Sequence, residues 1–351
     1  MKGVVLSGGA GTRLRPLTFA MAKQLVPVAN KPIIFYGLED LARAGIEEVV
    51  IIISPTTGAQ VMATVGDGSR FGLDIAYVTQ AEPLGLAHAL RLALPLAGDD
   101  DILMYLGDNL VKRGVRDVVH DFEDRRPSAQ LLLHRVPNPS AFGVAELDAT
   151  GRVQRLVEKP EIPASDLALV GVYLFDASIA EAIDNITPSA RGELEITDAI
   201  QWLLDHGRDV RASMVSGWWK DTGNKQDLLH ANELVMKDLT DEQDGELIDC
   251  RVRGPVQVGA GSRLVECDLV GPLVIGKGVH GARSVLGPNA AIGDGSRVHD
   301  AAVENSLVME HVQIQGWRLR NSVLGPRSAV VGPAPSAYVE LTLGERSEIL
   351  G

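Results

Sequence analysis

The chain has 351 residues, of which 45% are hydrophobic and 23% are charged. This balance is typical of globular proteins and excludes a mainly disordered chain, and the length suggests two domains or one large domain. Asp and Glu outnumber Lys and Arg by 46 to 33, giving a formal net charge of −13. That charge argues against a nucleic-acid binder that works by neutralising phosphates, but a few local cations would suffice for a small phosphorylated ligand.

The cysteine count and the apolar runs indicate where the protein works. Two cysteines, Cys250 and Cys267, are too few for a disulfide scaffold or a four-cysteine zinc site. No apolar run reaches the roughly 18 residues that a membrane span requires. The opening MKGVVLSGG meets glycines too early for a signal peptide. We therefore expect a cytoplasmic protein with free thiols that needs no membrane partner.

In the first part of the chain, short apolar runs alternate with helical patterns. This alternation predicts a parallel sheet that is covered by helices on both faces, with ligands bound beyond the carboxyl ends of its strands. The predicted strands are 3–6, 49–53 and 102–106, and the predicted helices are 32–44 and 86–96.

The pattern changes near residue 240. Residues 238–252 are acidic and polar and are predicted to form a linker. Over 253–335 an aliphatic residue, often followed by Gly, recurs about every six positions, which is the signature of a parallel β-helix with triangular coils. An irregular all-β domain is the alternative, and residues 336–351 are predicted to be a tail or a cap.

The phases of this repeat predict which side chains point into the β-helix. Breaks in phase around 275–285 and 303–323 predict inserted or imperfect coils. The aliphatic residues in phase fall into three groups, namely Val258, Leu264 and Val270; Leu286, Ile292 and Val298; and Leu324 and Val330.

A glycine-rich loop, LSGGAGTRLRPLT, follows the first predicted strand directly. Gly8, Gly9 and Gly11 allow a tight turn whose N–H groups can point at phosphate oxygens. The spacing matches neither a P-loop nor the dinucleotide-binding GxGxxG motif. Arg13 and Lys23 follow the loop and are solvated surface charges on the plainest interpretation. Their combination with the loop favours a triphosphate site.

At this point the chain resembles the sugar-1-phosphate nucleotidylyltransferase family. The resemblance covers most of residues 1–230, and AKQL and GDN are most similar to the family's thymidylyl-transferring branch. The β-helix is similar to that of the long form of this branch. The matching motifs, in order, are GGAGTRLRPLT, AKQLVPVANKPI, VGDGSRFG, PLGLAHA, LGDN, FGVAEL, VEKP, LVGVYLFD, RGELEITDAI and WWKDTGN.

The resemblance implies a Rossmann-like, mostly parallel-sheet nucleotidyltransferase domain over 1–237, followed by a parallel, left-handed β-helix. It implies transfer of a nucleotidyl group from dTTP to glucose-1-phosphate, with Mg²⁺ assisting in-line attack on the α-phosphorus. The attacking sugar phosphate is already an anion, so no general base is needed. Catalysis then consists of positioning and electrostatic shielding.

The resemblance also assigns the site residues. Asp108, which follows the predicted strand 102–106, and Asp221 are expected to bind the metal, and Arg13, Lys23 and Asp108 are expected to be catalytic. The expected nucleotide-binding residues are Gly8, Gly9, Gly11, Thr12, Arg13, Gln80 and Gly85. The expected sugar-phosphate-binding residues are Gly143, Glu158, Lys159, Gly171, Tyr173 and Arg191.

Three alternatives stay open. The same chemistry would serve UTP, ATP or GTP with another sugar or cyclitol phosphate. The β-helix would carry an acyltransferase site if one of its histidines acted as a general base. The third interpretation, which we adopt, is that the β-helix mediates contacts in a homo-oligomer.

Overall fold

The computed structural model describes residues 1–333 and 337–350, and the chain divides into two compact units. Unit 1 consists of Met1–Gly9 and Ile34–Asp221, and unit 2 of Ala10–Ile33 and Thr222–Gly351. Each unit is therefore built from two segments that are distant in sequence.

The elements up to residue 236 alternate as the sequence predicts. The three predicted strands and two predicted helices are confirmed as β1, β4, β6, α1 and α3. In chain order the elements are β1 (Lys2–Ser7), β2 (Pro27–Val28), β3 (Lys31–Pro32), α1 (Ile33–Arg43), β4 (Glu48–Ile53), α2 (Gly58–Val65), β5 (Asp74–Thr79), α3 (Leu86–Ala97), β6 (Ile102–Leu106), β7 (Asn109–Val111), α4 (Arg116–Arg125), β8 (Ala129–Arg135), β9 (Gly143–Leu147), β10 (Val153–Glu158), β11 (Leu167–Phe175), α5 (Ser178–Asn185), α6 (Ile196–Asp205), β12 (Val210–Met214), β13 (Trp219–Asp221) and α7 (Lys225–Met236).

The centre of unit 1 is a sheet of nine strands within the described part of the chain. Its main path runs β10-β9-β11-β6-β1-β4-β5, and β8 and β12 continue from β11. The pairs among β6, β1, β4 and β5 are parallel, whereas β11 runs antiparallel to β6, β8 and β9. Strands β4 (EVVIII) and β11 (LALVGVYLF) are apolar almost throughout because side chains on both faces of the sheet are buried.

Unit 2 contains a parallel β-helix, as predicted. Its strands form three parallel sheets, with orders β14-β17-β20-β23-β26-β29-β31, β15-β18-β21-β24-β27-β30-β32 and β16-β19-β22-β25-β28. The strands are β14 (Glu242–Gln243), β15 (Glu246–Ile248), β16 (Arg251–Arg253), β17 (Val256–Val258), β18 (Arg263–Val265), β19 (Asp268–Val270), β20 (Leu273–Ile275), β21 (His280–Ala282), β22 (Val285–Leu286), β23 (Ala290–Ile292), β24 (Arg297–His299), β25 (Ala302–Glu304), β26 (Leu307–Val308), β27 (Gln313–Gln315), β28 (Arg318–Arg320), β29 (Val323–Leu324), β30 (Ala329–Val331), β31 (Thr342–Leu343) and β32 (Glu348–Leu350).

The coils extend beyond the range expected from the repeat. Strands β14, β15 and β16 lie within 238–252 or overlap its end, and they pair in parallel with the next coil. Strands β31 and β32 likewise continue the stack within 336–351. Residues 334–336, where the predicted β-helix ends and the tail begins, lie outside the described residues.

Coil length explains the errors in the predicted phase. Leu264 stands opposite residues exactly one coil away, 17 positions on either side, whereas Val298 and Ile314 stand 16 positions apart. These coils of 17 and 16 residues therefore each contain at least one face of five residues, whereas the last coil has 19, since Val330 stands opposite Ile349. Val270 was expected to point inward, but Leu269 is the fully buried residue there and Val270 is half-buried. Of the inserted or imperfect coils expected around 275–285 and 303–323, the structure has imperfect ones: strand pairing continues without an insertion, and the coils are shortened to 17 or 16 residues.

Among the described residues, no helix combines the length and hydrophobicity that crossing a bilayer requires.

Candidate active site

The first glycines of the loop lie at the carboxyl end of β1. Gly8 follows the strand directly, and a Cβ built on it would lie 3.3 Å from Oε1 of Gln80, the residue that follows β5. The Gln80 Nε2 donates a hydrogen bond to the Gly85 carbonyl over 3.1 Å and lies 3.0 Å from Nδ1 of His88. The structure thus brings together Gly8, Gln80 and Gly85. His88, which sequence reasoning missed, holds the Gln80 amide from the first turn of α3.

Position 85 requires glycine because of its backbone conformation and its close approach to Leu194. Its φ is +105°, and a Cβ would lie only 2.3 Å from the carbonyl oxygen of Leu194. The same Leu194 carbonyl accepts a hydrogen bond from the Ala87 N–H, at the start of α3. Only glycine lets the chain pass this close to its neighbour. The residue therefore fixes the entry to α3, and with it the position of the Gln80 amide.

The rest of the loop belongs to unit 2. Gly11 has φ +60°, and its Cβ would lie 2.9 Å from Thr18 and 3.1 Å from the Cβ of Lys23. The Thr18 hydroxyl donates a hydrogen bond to the Gly11 carbonyl over 2.7 Å. Thr12 and Arg13 follow in a 3₁₀ turn that is exposed, whereas Lys23 is 8% exposed. Gly11 therefore allows the Thr12–Arg13 turn to pack near Lys23.

Gln24 is a second residue that sequence reasoning did not single out. Its side chain is 3% exposed, and its Oε1 has no hydrogen-bond partner among residues 1–333 and 337–350. A buried acceptor without a donor is costly and is rare in native proteins. In the sequence, the only feature that marks Gln24 is its place in the AKQL motif.

Two short strands bring the predicted metal ligands together. Strand β7 pairs antiparallel with β13, and Asp221 lies opposite Asn109, the neighbour of Asp108. The buried Asn109 donates through Nδ2 to Oδ1 of Asp108 over 3.1 Å and accepts a hydrogen bond from the Trp219 indole over 2.5 Å. Two carboxylates at neighbouring positions are a donor set suited to Mg²⁺, which keeps water and phosphate oxygens as its other ligands.

The described residues contain no group of three or more His, Cys, Asp or Glu side chains arranged to hold a metal. A divalent ion bound by Asp108 and Asp221 would therefore need substrate oxygens and water to complete its shell.

Two of the predicted sugar-contact residues, Gly171 and Tyr173, also have a role in the packing of the fold. A Cβ on Gly171 would lie 2.6 Å from Nδ2 of Asn109 and 2.7 Å from Leu106, so glycine is needed there to make room for Asn109. Tyr173 is 4% exposed and belongs to the hydrophobic core, with its ring stacked on Phe175. Burial raises the pKa of its phenol. Tyr173 thus lies in the core under the site, and its contact with the sugar stays a prediction.

Glu158 and Arg191 line an open cleft of about 570 Å³ beside β10 and α6. Glu158 ends β10 opposite Gly143, and a Cβ on Gly143 would lie 3.1 Å from the Glu158 carboxylate. The Thr197 hydroxyl donates to the same carboxylate over 3.4 Å. Gly143 therefore leaves space for Glu158 to turn into the cleft, where its oxygens can accept hydrogen bonds from a polyol.

The charges around this cleft are strongly paired. Arg191 contacts three carboxylates, with N···O distances of 3.5 Å to Glu158, 2.9 Å to Glu193 and 3.5 Å to Glu195. Lys159 lies 3.4 Å from Glu158 and has a left-handed backbone, φ +41°. Arg191 is thus held by carboxylates at the edge of the cleft, and its contact with the sugar phosphate stays a prediction.

Two further acids, Glu195 and Asp198, line the same cleft. Burial raises the pKa of Glu195, opposed by the hydrogen bond that the Ser189 hydroxyl donates to it. Burial, together with the charge of Glu158, also raises the pKa of Asp198. The cleft is thus richer in acceptors than in free cations, which suits a hydroxylated ligand.

Comparison with known proteins agrees with this site. The nucleotidyl transferase family model matches residues 2–238. The chain is 50% identical to the glucose-1-phosphate thymidylyltransferase of Streptomyces griseus, over 99% of this chain and 98% of that protein. It is 45% identical to the low-salt glycan biosynthesis nucleotidyltransferase Agl11 of Haloferax volcanii, over 99% of each chain.

A solved structure agrees as well. A candidate glucose-1-phosphate thymidylyltransferase from Bacillus anthracis, in complex with sucrose, superposes with a TM-score of 0.64 at 36% identity. It covers 69% of this chain and 98% of its own. The fold, the site and these matches lead to one conclusion: the chain belongs to the nucleotidyl transferase family and is a nucleotidyltransferase enzyme.

Proposed function

We propose that the chain transfers a thymidylyl group from dTTP to glucose-1-phosphate and releases dTDP-glucose and pyrophosphate. The observation that carries the proposal is the pairing of β7 with β13, which places Asp221 opposite Asn109 and beside Asp108. Relatives that share this chain's full length carry the corresponding name, which favours this pair of substrates over others.

The chain's residues meet the main difficulty of the reaction, which is repulsion between two polyanions. Asp108 and Asp221 would hold Mg²⁺, which neutralises phosphate charge when bound. Arg13 and Lys23 would bind triphosphate oxygens and offset the charge that develops at the α-phosphorus. Gln80 would read the base, since an amide can both donate to and accept from a pyrimidine edge.

The acceptor would occupy the Glu158 cleft. Glu158 would accept hydrogen bonds from sugar hydroxyls, and Lys159 would contact the sugar phosphate. Gly143 would leave the room that this carboxylate needs, because a Cβ at position 143 would lie 3.1 Å from the Glu158 carboxylate. Because the sugar phosphate attacks as an anion, the cleft needs to orient it and does not need to deprotonate it.

Pyrophosphate release with Mg²⁺ tests the proposal. The substrates are dTTP, UTP, ATP, GTP and CTP, each with glucose-1-phosphate and a panel of other sugar and cyclitol phosphates. We expect preference for dTTP with glucose-1-phosphate. Asp108→Asn should lower kcat about 100-fold or more, and Asp99→Asn, an exposed acid before β6, should not. Preference for another pair would contradict the substrate assignment.

A cytoplasmic location and self-association through the β-helix are further parts of the proposal. The location follows from the biosynthetic chemistry of the named relatives. Self-association follows from the repetitive outer faces that a β-helix offers. Mass measurement of the full chain in solution tests it, and a monomer would contradict it.

A further inference from the structure

One face of the β-helix is buried and is hydrogen-bonded to two other elements of its own unit. Strand alternation points Val274, Ala291, Leu307 and Val323 outward from the β-helix core, yet each is 7% exposed or less. Hydrogen bonds to this sheet come from the β2–β3 hairpin and from α7. The hairpin and α7 are therefore both attached to this face at the coil that contains Asn289 and Ile292.

The hairpin that rests on this face has a strained tip. Its two turn residues, Ala29 and Asn30, have φ of +47° and +60°. The pairing of Val28 with Lys31 makes this a two-residue hairpin loop, which needs positive φ at both positions. Alanine is unfavourable in that conformation, so contacts from outside the hairpin must hold it.

Asn232 supplies such a contact through both ends of its amide. It is fully buried in α7, and its Oδ1 accepts the Ala29 N–H over 2.9 Å. Its Nδ2 donates to the Asn289 carbonyl of the β-helix over 3.1 Å. Asn30 adds a direct bond, since its Nδ2 donates to the Ile292 carbonyl over 2.7 Å.

The hairpin continues into the Lys23 turn through backbone hydrogen bonds. The Ile33 N–H donates to the Val26 carbonyl, and the Val26 N–H donates to the Lys23 carbonyl, each over 3.2 Å. Lys23 in turn packs against Gly11, beside the Thr12–Arg13 turn. A shift at the hairpin tip is therefore transmitted to the two cations assigned to the triphosphate.

We propose that the β-helix is a platform that positions the segment carrying Arg13 and Lys23, with Asn232 and Asn30 as its positioning residues. The expected effect on nucleotide binding rests on the proposed function, because it assumes that these cations bind the triphosphate. The platform also gives the β-helix a role within a single chain, whatever its role between chains.

Asn30→Gly is the test variant. Glycine keeps the left-handed turn and removes only the bond to Ile292, so the hairpin itself gains freedom without strain. Asn305→Gly is the matched control, since Asn305 also has positive φ (+42°) and donates one bond, to Asn321, within the β-helix. Asn232→Asp is a second variant, which keeps the acceptor for Ala29 and replaces the donor that faces Asn289.

The readouts are backbone hydrogen exchange over residues 26–33 and affinity for dTTP and for Mg²⁺ tripolyphosphate. In Asn30→Gly and Asn232→Asp we expect faster exchange and a Kd for both anions raised about fivefold, the worth of one hydrogen bond. The KM for glucose-1-phosphate should stay within about twofold, as expected if only the triphosphate cations move. Asn305→Gly should change none of these.

Unchanged exchange would overturn the platform, and so would faster exchange with unchanged anion affinity. An equal effect in Asn305→Gly would overturn it as well, because a general loosening of the β-helix would then explain the changes in exchange and in anion affinity. Wild-type protein that binds both anions but transfers no thymidylyl group would contradict the proposed function alone, since exchange and anion binding need no turnover.

Discussion

Trp219 donates its indole N–H to Oδ1 of Asn109 across 110 positions of sequence, over 2.5 Å. The other end of the same amide donates to Asp108. One asparagine thus connects the strand that carries Asp221 to the carboxylate that we assign to the metal. The orientation of Asp108 is set by a buried network, so residues that touch no substrate should affect the reaction.

Trp219→Phe should lower both stability and activity. Phenylalanine keeps most of the aromatic packing against Phe142 and leaves the buried Asn109 Oδ1 without its donor, which costs about 1–3 kcal/mol. Urea unfolding measures the first effect and kcat at saturating Mg²⁺ the second. Trp218→Phe is the control, because that neighbour is more exposed. Equal behaviour of the two variants would contradict the role of the Asn109 network.

The two ends of α3 offer a matched pair of glycines. Gly98→Ala places a side chain at φ +65° and ψ −137° with nothing within 4 Å, so it should cost about 1–3 kcal/mol from backbone strain alone. Gly85→Ala adds a clash with the Leu194 carbonyl and should cost about 3 kcal/mol or more. It should also weaken dTTP binding through Gln80. Denaturant unfolding and dTTP titration of both variants check this, and similar losses would refute the close approach at Gly85.

The buried acid of the cleft predicts a pH effect. The pKa of Glu195 is raised in the folded state, so folding favours its protonated form. That contribution to stability is present below the unfolded pKa and is lost as pH rises through the folded pKa. Glu195→Gln, which cannot ionise, should therefore gain stability relative to wild type as pH rises from about 4 to 7.

Urea midpoints measured across this pH range give the comparison. Glu82→Gln, at an exposed position, is the control and should track wild type. A Glu195→Gln difference that stays constant with pH would contradict the raised pKa.

The register of the β-helix can be tested at two adjacent residues. Leu269→Ala removes a fully buried side chain and should cost about 3–5 kcal/mol. Val270→Ala, at the half-buried neighbour, should cost about 1 kcal/mol or less. The difference in free energy of unfolding decides between the observed register and one in which Val270 points inward.

The sequence predicted this fold well wherever a pattern repeats within one element. The β-branched run of β4 and the apolar run of β6 were correct because a buried parallel strand needs little else. Val270 was misplaced because a hexapeptide pattern cannot show that one face of a coil has five residues. The first coil, around β15, was missed because its composition is acidic, although its backbone pairs like the others.

At the site, the sequence motifs predicted which residues come together better than they predicted how each residue is buried. Gly8, Gln80 and Gly85 do meet, and Asp108 and Asp221 are brought to neighbouring positions. Tyr173, a predicted sugar contact, is buried in the core, and no local pattern separates a lining tyrosine from a core one. The contacts of Asn232 were beyond prediction, since its partners Ala29 and Asn289 are distant in sequence.

The composite make-up of unit 2 also bears on how this architecture can be recombined. A natural fusion or an engineered exchange that joins a foreign β-helix at residue 237 would bring α7 and the β2–β3 hairpin against a surface that did not evolve with them. Three pieces, namely the hairpin, α7 and the coils that contact them, should therefore be inherited together. Crossovers that separate them should yield chimeras that express poorly even when each parent is stable.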